Sequence, residues 1–148
     1  MAIKIGSARI DENGKAHGGM AGDQTGKEVS TQNWYLNTKG WRVYRAKNPA
    51  VAEKIAQCME RACANSAIGY DQYQRNTLYK EAEKFGFDTA KVTTPVETDC
   101  SALVRVCIAY AGITNLPEGF RTVNMPTNLA KTGAFTELTG AQIGRAHV

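Results

Sequence analysis

The segment TDCSALVRVCIAYAG, residues 98–112, constrains this chain more than any other stretch. Thr98 or Asp99 can cap a helix, since either side chain accepts the orphan amide protons of a first turn. The pattern predicts a helix from about Cys100 to Ala111 that ends at Gly112. Leu103, Val104, Cys107 and Ile108 make it apolar enough to require burial. Cys107 sits two turns deep among those side chains, where burial raises a thiol pKa, so it is a core residue. Cys100 stands instead in the first turn, at the positive end of the helix dipole, where a thiolate is stabilised. The first-turn amides, including that of Cys100 or Ser101, can line an oxyanion hole. Position and capping leave two readings open for Cys100, a nucleophile or a small packing residue.

The rest of the chain reads as one domain of helices and short strands. Its 148 residues suffice for a single core. The motif Asn13-Gly14 predicts a small hairpin over residues 7–16. The glycine-rich stretch that follows, GGMAGDQTGKE, predicts an ordered loop, and Glu28 after Gly26-Lys27 departs from a phosphate-binding loop. WRVYRA, residues 41–46, alternates as a strand does, which favours a core place for Trp41. Asn48 and Pro49 open a helix to about Asn65, with the stripe Val51, Ile55, Met59 and Ala62 and with Cys58 and Cys63 packing at its flanks. A second helix is expected over about Gln72–Phe85, burying Leu78, Ala82 and Phe85 and closed by Gly86. Pro95 keeps the chain extended before the cysteine helix. Pro126 begins a short helix, and AFTEL, residues 134–138, is a strand.

Eighteen basic and fourteen acidic residues give a net charge of +4. That surplus is spread without a Lys/Arg block or basic stripe, so no nucleic-acid partner is expected. The start, MAIKIGSARI, lacks the apolar run of a signal peptide, and no segment reads as a membrane span. The expectation is a chain made in the cytosol, with no stable membrane association. Cys58, Cys63, Cys100 and Cys107 form no CxxC pair, and His17 and His147 are the only histidines. Structural zinc spacings are therefore absent, and no disulfide framework is expected.

The cysteine segment resembles the nucleophile segment of the NlpC family of cell-wall cysteine peptidases, with Ala102 in place of the usual glycine. ARIDENGK, GDQTGKEVSTQNWY, GWRVYRA and IGYDQYQRNTLY, in that order ahead of the cysteine, resemble prophage-encoded, lysin-like members over roughly residues 7–138. The resemblance implies an α+β, papain-like fold in which helices pack against an antiparallel sheet. It implies hydrolysis of an amide bond in the peptide part of peptidoglycan, by an endopeptidase or amidase that needs no metal or organic cofactor. Cys100 would be the nucleophile, Asp99 the helix cap, Ser101 a backbone donor to the oxyanion, and Tyr70 a hydrogen-bond donor beside the thiol. Asp71 and Gln74 would line the groove or stand as solvated helix-start residues. Such a lysin would work as a monomer, accumulating in the cytosol and reaching the wall after release.

A cysteine peptidase also needs a histidine to take the thiol proton. His17 precedes the nucleophile in a glycine-rich loop, a poor position for that role, and His147 lies in QIGRAHV. That ending matches the translation of a common sequencing adapter. The expectation is therefore a native catalytic domain over residues 1–141, incomplete at its C-terminus and without the histidine that would make it active, followed by a non-native tail at 142–148. The rival reading is a non-catalytic cell-wall binding module that stacks sugars on Trp34, Tyr35 and Trp41.

Overall fold

The computed structural model describes residues 3–139. The expected tail at 142–148, with His147, lies outside them. The strongest local prediction is met at residues 99–110. Helix α3, Cys100–Tyr110, is capped by Asp99, whose Oδ1 accepts the Ala102 N–H at 2.8 Å. Thr98, the other candidate cap, is fully buried and donates its hydroxyl to the Asp99 carbonyl. Helix α1, Pro49–Cys63, is capped as expected by Asn48, which accepts the Ala50 N–H at 2.9 Å.

Burial is centred on α3. Leu103, Val106 and Cys107 join Cys58 and Ala62 of α1, together with Ile68 and Leu78, in the main core. Ile108 faces a second cluster, with Leu116, Phe120 and Leu129. Each fully buried leucine or phenylalanine there contributes about 1.5–3 kcal/mol. Arg105, on the same helix, is buried without a carboxylate. Its Nε donates to the Leu116 carbonyl, and its guanidinium lies 3.7 Å from the centroid of the Tyr79 ring. Helix α2, Thr77–Glu83, packs on α3, and α4, Met125–Thr132, ends at Gly133 in the left-handed region.

Among the described residues the strands make three separate pairs. Strands β1 (Lys4–Ala8) and β2 (Val29–Asn33) are antiparallel, as are β3 (Tyr44–Ala46) and β6 (Phe135–Glu137). The pair that leads into α3 is parallel, with β4 (Ile68–Tyr70) beside β5 (Val96–Thr98) and Tyr70 opposite Thr98. This corrects the antiparallel expectation at the place where it matters most. The connection between β4 and β5 carries α2, and a helical crossover is what permits parallel pairing.

The expected hairpin at residues 7–16 is also corrected. Asn13-Gly14 does turn, but the Asp11 carboxylate gathers the N–H groups of Asn13 and Lys15 into a local loop. Strand β1 therefore stops at Ala8 and pairs with β2 across the whole glycine-rich segment. The 41–46 strand is confined to 44–46, and α1 ends at Cys63. Helix α2 begins five residues later than predicted, because the Asp71 carboxylate takes the N–H groups of Tyr73 and Gln74 into a turn. At its far end Phe85 is 37 % exposed, and Phe87 packs on Tyr79 instead. Phe87 adopts a positive φ of 65° and returns its N–H to the Ala82 carbonyl.

The loop before β2 crosses directly over β4 and β5. Gly22 donates to the Val96 carbonyl, Asp23 donates to that of Ser66, and a Cβ on Gly69 would collide with the Gly22 backbone. A Cβ on Gly6 would meet side chains first, Met59 at its Cγ and Sδ and Cys63 at its Sγ, which can shift where a backbone cannot. Gly69→Ala is expected to cost about 3 kcal/mol and Gly6→Ala about 1 kcal/mol or less. Urea denaturation of the two variants checks the order, and equal losses would contradict the backbone crossing.

Candidate functional site

The site begins where β4 and β5 end side by side. The Asp71 N–H donates to the Thr98 carbonyl at 3.0 Å, and beyond that bond the two chains part. One turns through Gln72–Arg75, and the other enters α3. Cys100 is the first residue of α3, and of the four cysteines, all free, it alone is exposed. Cys58 and Cys107 are buried, and Cys63 is half-buried. Burial pushes the Cys63 thiol up to about 11. A hydrogen bond with Cys58, and then burial, holds Cys107 well above the ordinary thiol range. The expectation that those three are packing residues agrees with this placement.

Tyr70 is 4 % exposed, and its hydroxyl accepts the Gln72 Nε2–H at 2.9 Å. Burial raises its phenol pKa, and negative charge at Cys100 raises it further. Tyr70 stands opposite Thr98 in the β4–β5 pair, two residues before Cys100. Ser101 is buried, with its hydroxyl donating to Asp99 Oδ1 at 3.1 Å. Its side chain is committed inward, so what it can offer a reacting group at Cys100 is its main-chain N–H. The fold thus brings Tyr70, Asp99, Cys100 and Ser101 to one place.

Sequence reasoning missed Arg75. This side chain is 7 % exposed and meets the 9 % exposed Asp99 in a two-pronged pair, Nε to Oδ2 at 2.6 Å and Nη2 to Oδ1 at 3.2 Å. Nη2 also donates to Ser101 Oγ and to the Phe120 carbonyl, and Nη1 donates to the Glu118 carbonyl. A lone arginine in a turn carries no motif. The available signal was indirect, since a cap carboxylate buried at the start of an apolar helix requires a cation. Gln72, the partner of Tyr70, had no signal at all.

Asp71 does not line an open groove. It is buried, and its carboxylate ties the turn to the glycine-rich loop by accepting the Gly18 N–H at 2.8 Å. Gln74 is exposed at that turn. The Gln72 N–H reaches the Ala16 carbonyl, and His17 stacks on Tyr73 with centroids 4.1 Å apart. Trp34, Tyr35 and Trp41 are neighbours, but their rings are tilted and edge-on, and Trp41 Nε1 donates to the Tyr35 carbonyl. Trp41 is thus a half-buried member of a loop cluster and does not join the core expected for it. Among the described residues, no group of three or more His, Cys, Asp and Glu is placed to hold a metal ion.

Carboxylates are buried at the end of the loop and beneath it. Burial raises Glu28 and Glu97 to about 7, with Asp71 adding to the effect at Glu97. Burial also acts on Asp23 and Asp71, but three backbone N–H groups on each outweigh it and leave both below the ordinary carboxyl value. In the unfolded chain a glutamate titrates near about 4.3. Between there and pH 7 the folded state binds more protons than the unfolded state, so stability falls as pH rises through that window. Asp23 and Asp71 act the other way, and only as pH falls below the ordinary carboxyl range. The urea midpoint is expected to be higher at pH 5.5 than at pH 8, and Glu97→Gln should flatten the difference. A wild-type midpoint that climbs from pH 5.5 to 8 would contradict the protonated carboxyls.

No curated protein and no solved structure matches this chain. A family model, that of the endolysin-like domain, matches residues 5–144. The match takes in the glycine-rich loop, the parallel strand pair, the Arg75–Asp99 pair and the exposed cysteine. The chain belongs to the endolysin-like domain family.

Proposed function

We propose that this domain is a peptidoglycan hydrolase, a cysteine endopeptidase or amidase of the NlpC, papain-like type, with Cys100 as its nucleophile. One observation carries the reading. The sole exposed thiol of an endolysin-like domain stands on the first turn of a helix whose cap is a buried, ion-paired carboxylate. The thiolate attacks the carbonyl carbon of a cell-wall peptide bond, and the tetrahedral oxyanion takes the N–H groups at the start of α3, including that of Ser101. The amine leaves with a proton, giving a thioester that water hydrolyses to a carboxylate and free thiol. Tyr70 donates its O–H to the developing oxyanion, while Gln72 holds the phenol oxygen in place. Proton transfer calls for an imidazole. The chain's two are His17, stacked on Tyr73, and His147, outside the described residues.

No helix among the described residues is long and apolar enough to cross a membrane. We read the domain as a lysin that reaches the wall after release from the cytosol, with peptidoglycan as its partner. The rival binding module draws on the Trp34–Tyr35–Trp41 cluster, yet those rings present no shared flat face for a sugar.

Clearing of a cell-wall suspension tests the proposal. Clearing by the wild-type chain should be the same with or without chelator, Cys100→Ser should lose at least about a thousandfold of it, and Tyr70→Phe should lower kcat about 10- to 100-fold with KM little changed. Clearing by Cys100→Ser at the wild-type rate would sink the nucleophile assignment. Wall binding with no thiol reactivity at Cys100 would favour the binding module.

A further inference from the structure

We infer that Arg75 is a positioning residue for Cys100, holding the first turn of α3 and the 116–120 loop in one fork and so setting where the thiol stands. The inference rests on the hydrolase reading above. Arg75 meets three separate pieces of chain. From its own turn after β4 it reaches the cap carboxylate of Asp99 and the hydroxyl of Ser101, which flank Cys100 on either side. It also reaches the main-chain carbonyls of Glu118 and Phe120. The Phe120 side chain is fully buried in the second core cluster, so the carbonyl beside it is anchored from behind. Glu118 and Gly119 are exposed. The loop is thus pinned from within while its outer edge stands free.

Charge neutralisation alone would not need this arrangement. A lysine offers one compact charge and three donors on a flexible stem, whereas a planar guanidinium offers a rigid fork. Here two prongs meet the two oxygens of one carboxylate, and the remaining donors reach acceptors on the loop. The side chain also joins the segment carrying Tyr70 and Gln72 to the segment carrying Cys100. A shift of Arg75 therefore changes the distance between the nucleophile and the proposed oxyanion donor.

Arg105 supplies the control. It is buried to a similar degree and ties the same loop to α3 through the Leu116 carbonyl, but no hydrogen bond joins it to Asp99 or Ser101. If the loop matters only as packing, losing either arginine should have the same effect. If Arg75 positions the thiol, only its loss should change the chemistry at Cys100.

The test uses the full chain, with iodoacetamide alkylation of Cys100 followed across pH 6–9 by peptide mass spectrometry, beside kcat and KM for wall hydrolysis. Protection of Cys107 reports folding in the same digest. In Arg75→Lys and Arg75→Met, the alkylation profile should move to higher pH and kcat should fall about 100-fold with KM within about threefold, the loss expected for misplacement of about 1 Å. Arg105→Met should lower the urea midpoint and leave both readouts unchanged. The double variant Arg75→Met/Asp99→Asn removes the unpaired carboxylate but keeps a capping side chain, and it should stay slow. Recovery of the wild-type profile in that variant would reduce Arg75 to a counter-charge and overturn the inference. So would an unchanged profile in Arg75→Lys. Alkylation does not depend on the wall substrate, so full clearing by Cys100→Ser would reject the hydrolase reading while the alkylation arms still judged Arg75.

Discussion

Everything at the candidate site hangs on the pair between Arg75 and Asp99. Both side chains are almost fully withdrawn from water, and removing one partner of such a pair costs about 3–5 kcal/mol. Coulomb attraction alone does not explain the arrangement, because desolvating two ions consumes most of it. The hydrogen bonds make the difference. Asp99 also caps α3 through the Ala102 N–H, and Arg75 also satisfies carbonyls of the 118–120 segment. One ion pair therefore closes the helix start, the turn after β4 and the loop after α3 together. Cys100 is left as the exposed residue at the junction of buried groups.

The acidic groups in and beneath the glycine-rich loop show a second balance. Asp23, Glu28, Asp71 and Glu97 all experience burial, which favours the proton, yet they fall into two classes. Hydrogen bonding decides between them. Asp23 and Asp71 each collect three backbone N–H groups and stay charged. Glu28 collects two and lies against Asp23, while Glu97 has an oxygen with no partner and faces Asp71. A buried carboxylate so poorly supplied with donors keeps its proton to about pH 7. Since Asp71 also accepts the Gly18 N–H, these charges hold the loop that lies beside Tyr70 and Tyr73.

Much of this was legible in the residues. The caps Asn48 and Asp99, the Ile55, Met59 and Ala62 part of the α1 stripe and the division between a first-turn and a buried cysteine follow from local rules that depend on a few neighbouring positions, whereas Val51 joins neither core cluster and Cys58, expected at the flank, is fully buried. Errors gathered where a side chain overrode the backbone pattern. Asp11 and Asp71 both looked like ordinary turn or helix-start residues, and both gather amides that would otherwise have continued a hairpin or a helix. Phe85 fits the α2 stripe, but the left-handed residues after the helix swing Phe87 into its place. Trp41 alternates as a strand residue does, yet it packs on Trp34 and Tyr35 in a loop.

By itself, the sequence determined that residue 100 opens a capped, apolar helix, because capping and amphipathicity are properties of short windows. It also carried the likeness to cell-wall hydrolases, which the endolysin-like match over residues 5–144 meets at the level of a lysin-related domain. Tertiary structure alone decided what stands around the thiol. Tyr70 comes opposite Thr98, two residues before the thiol, because β4 and β5 pair in parallel, and Arg75 reaches Asp99 across 24 positions of chain because a buried carboxylate has to find a cation. Contacts made over such distances leave no periodicity in the sequence, since they are set by which groups burial leaves without water.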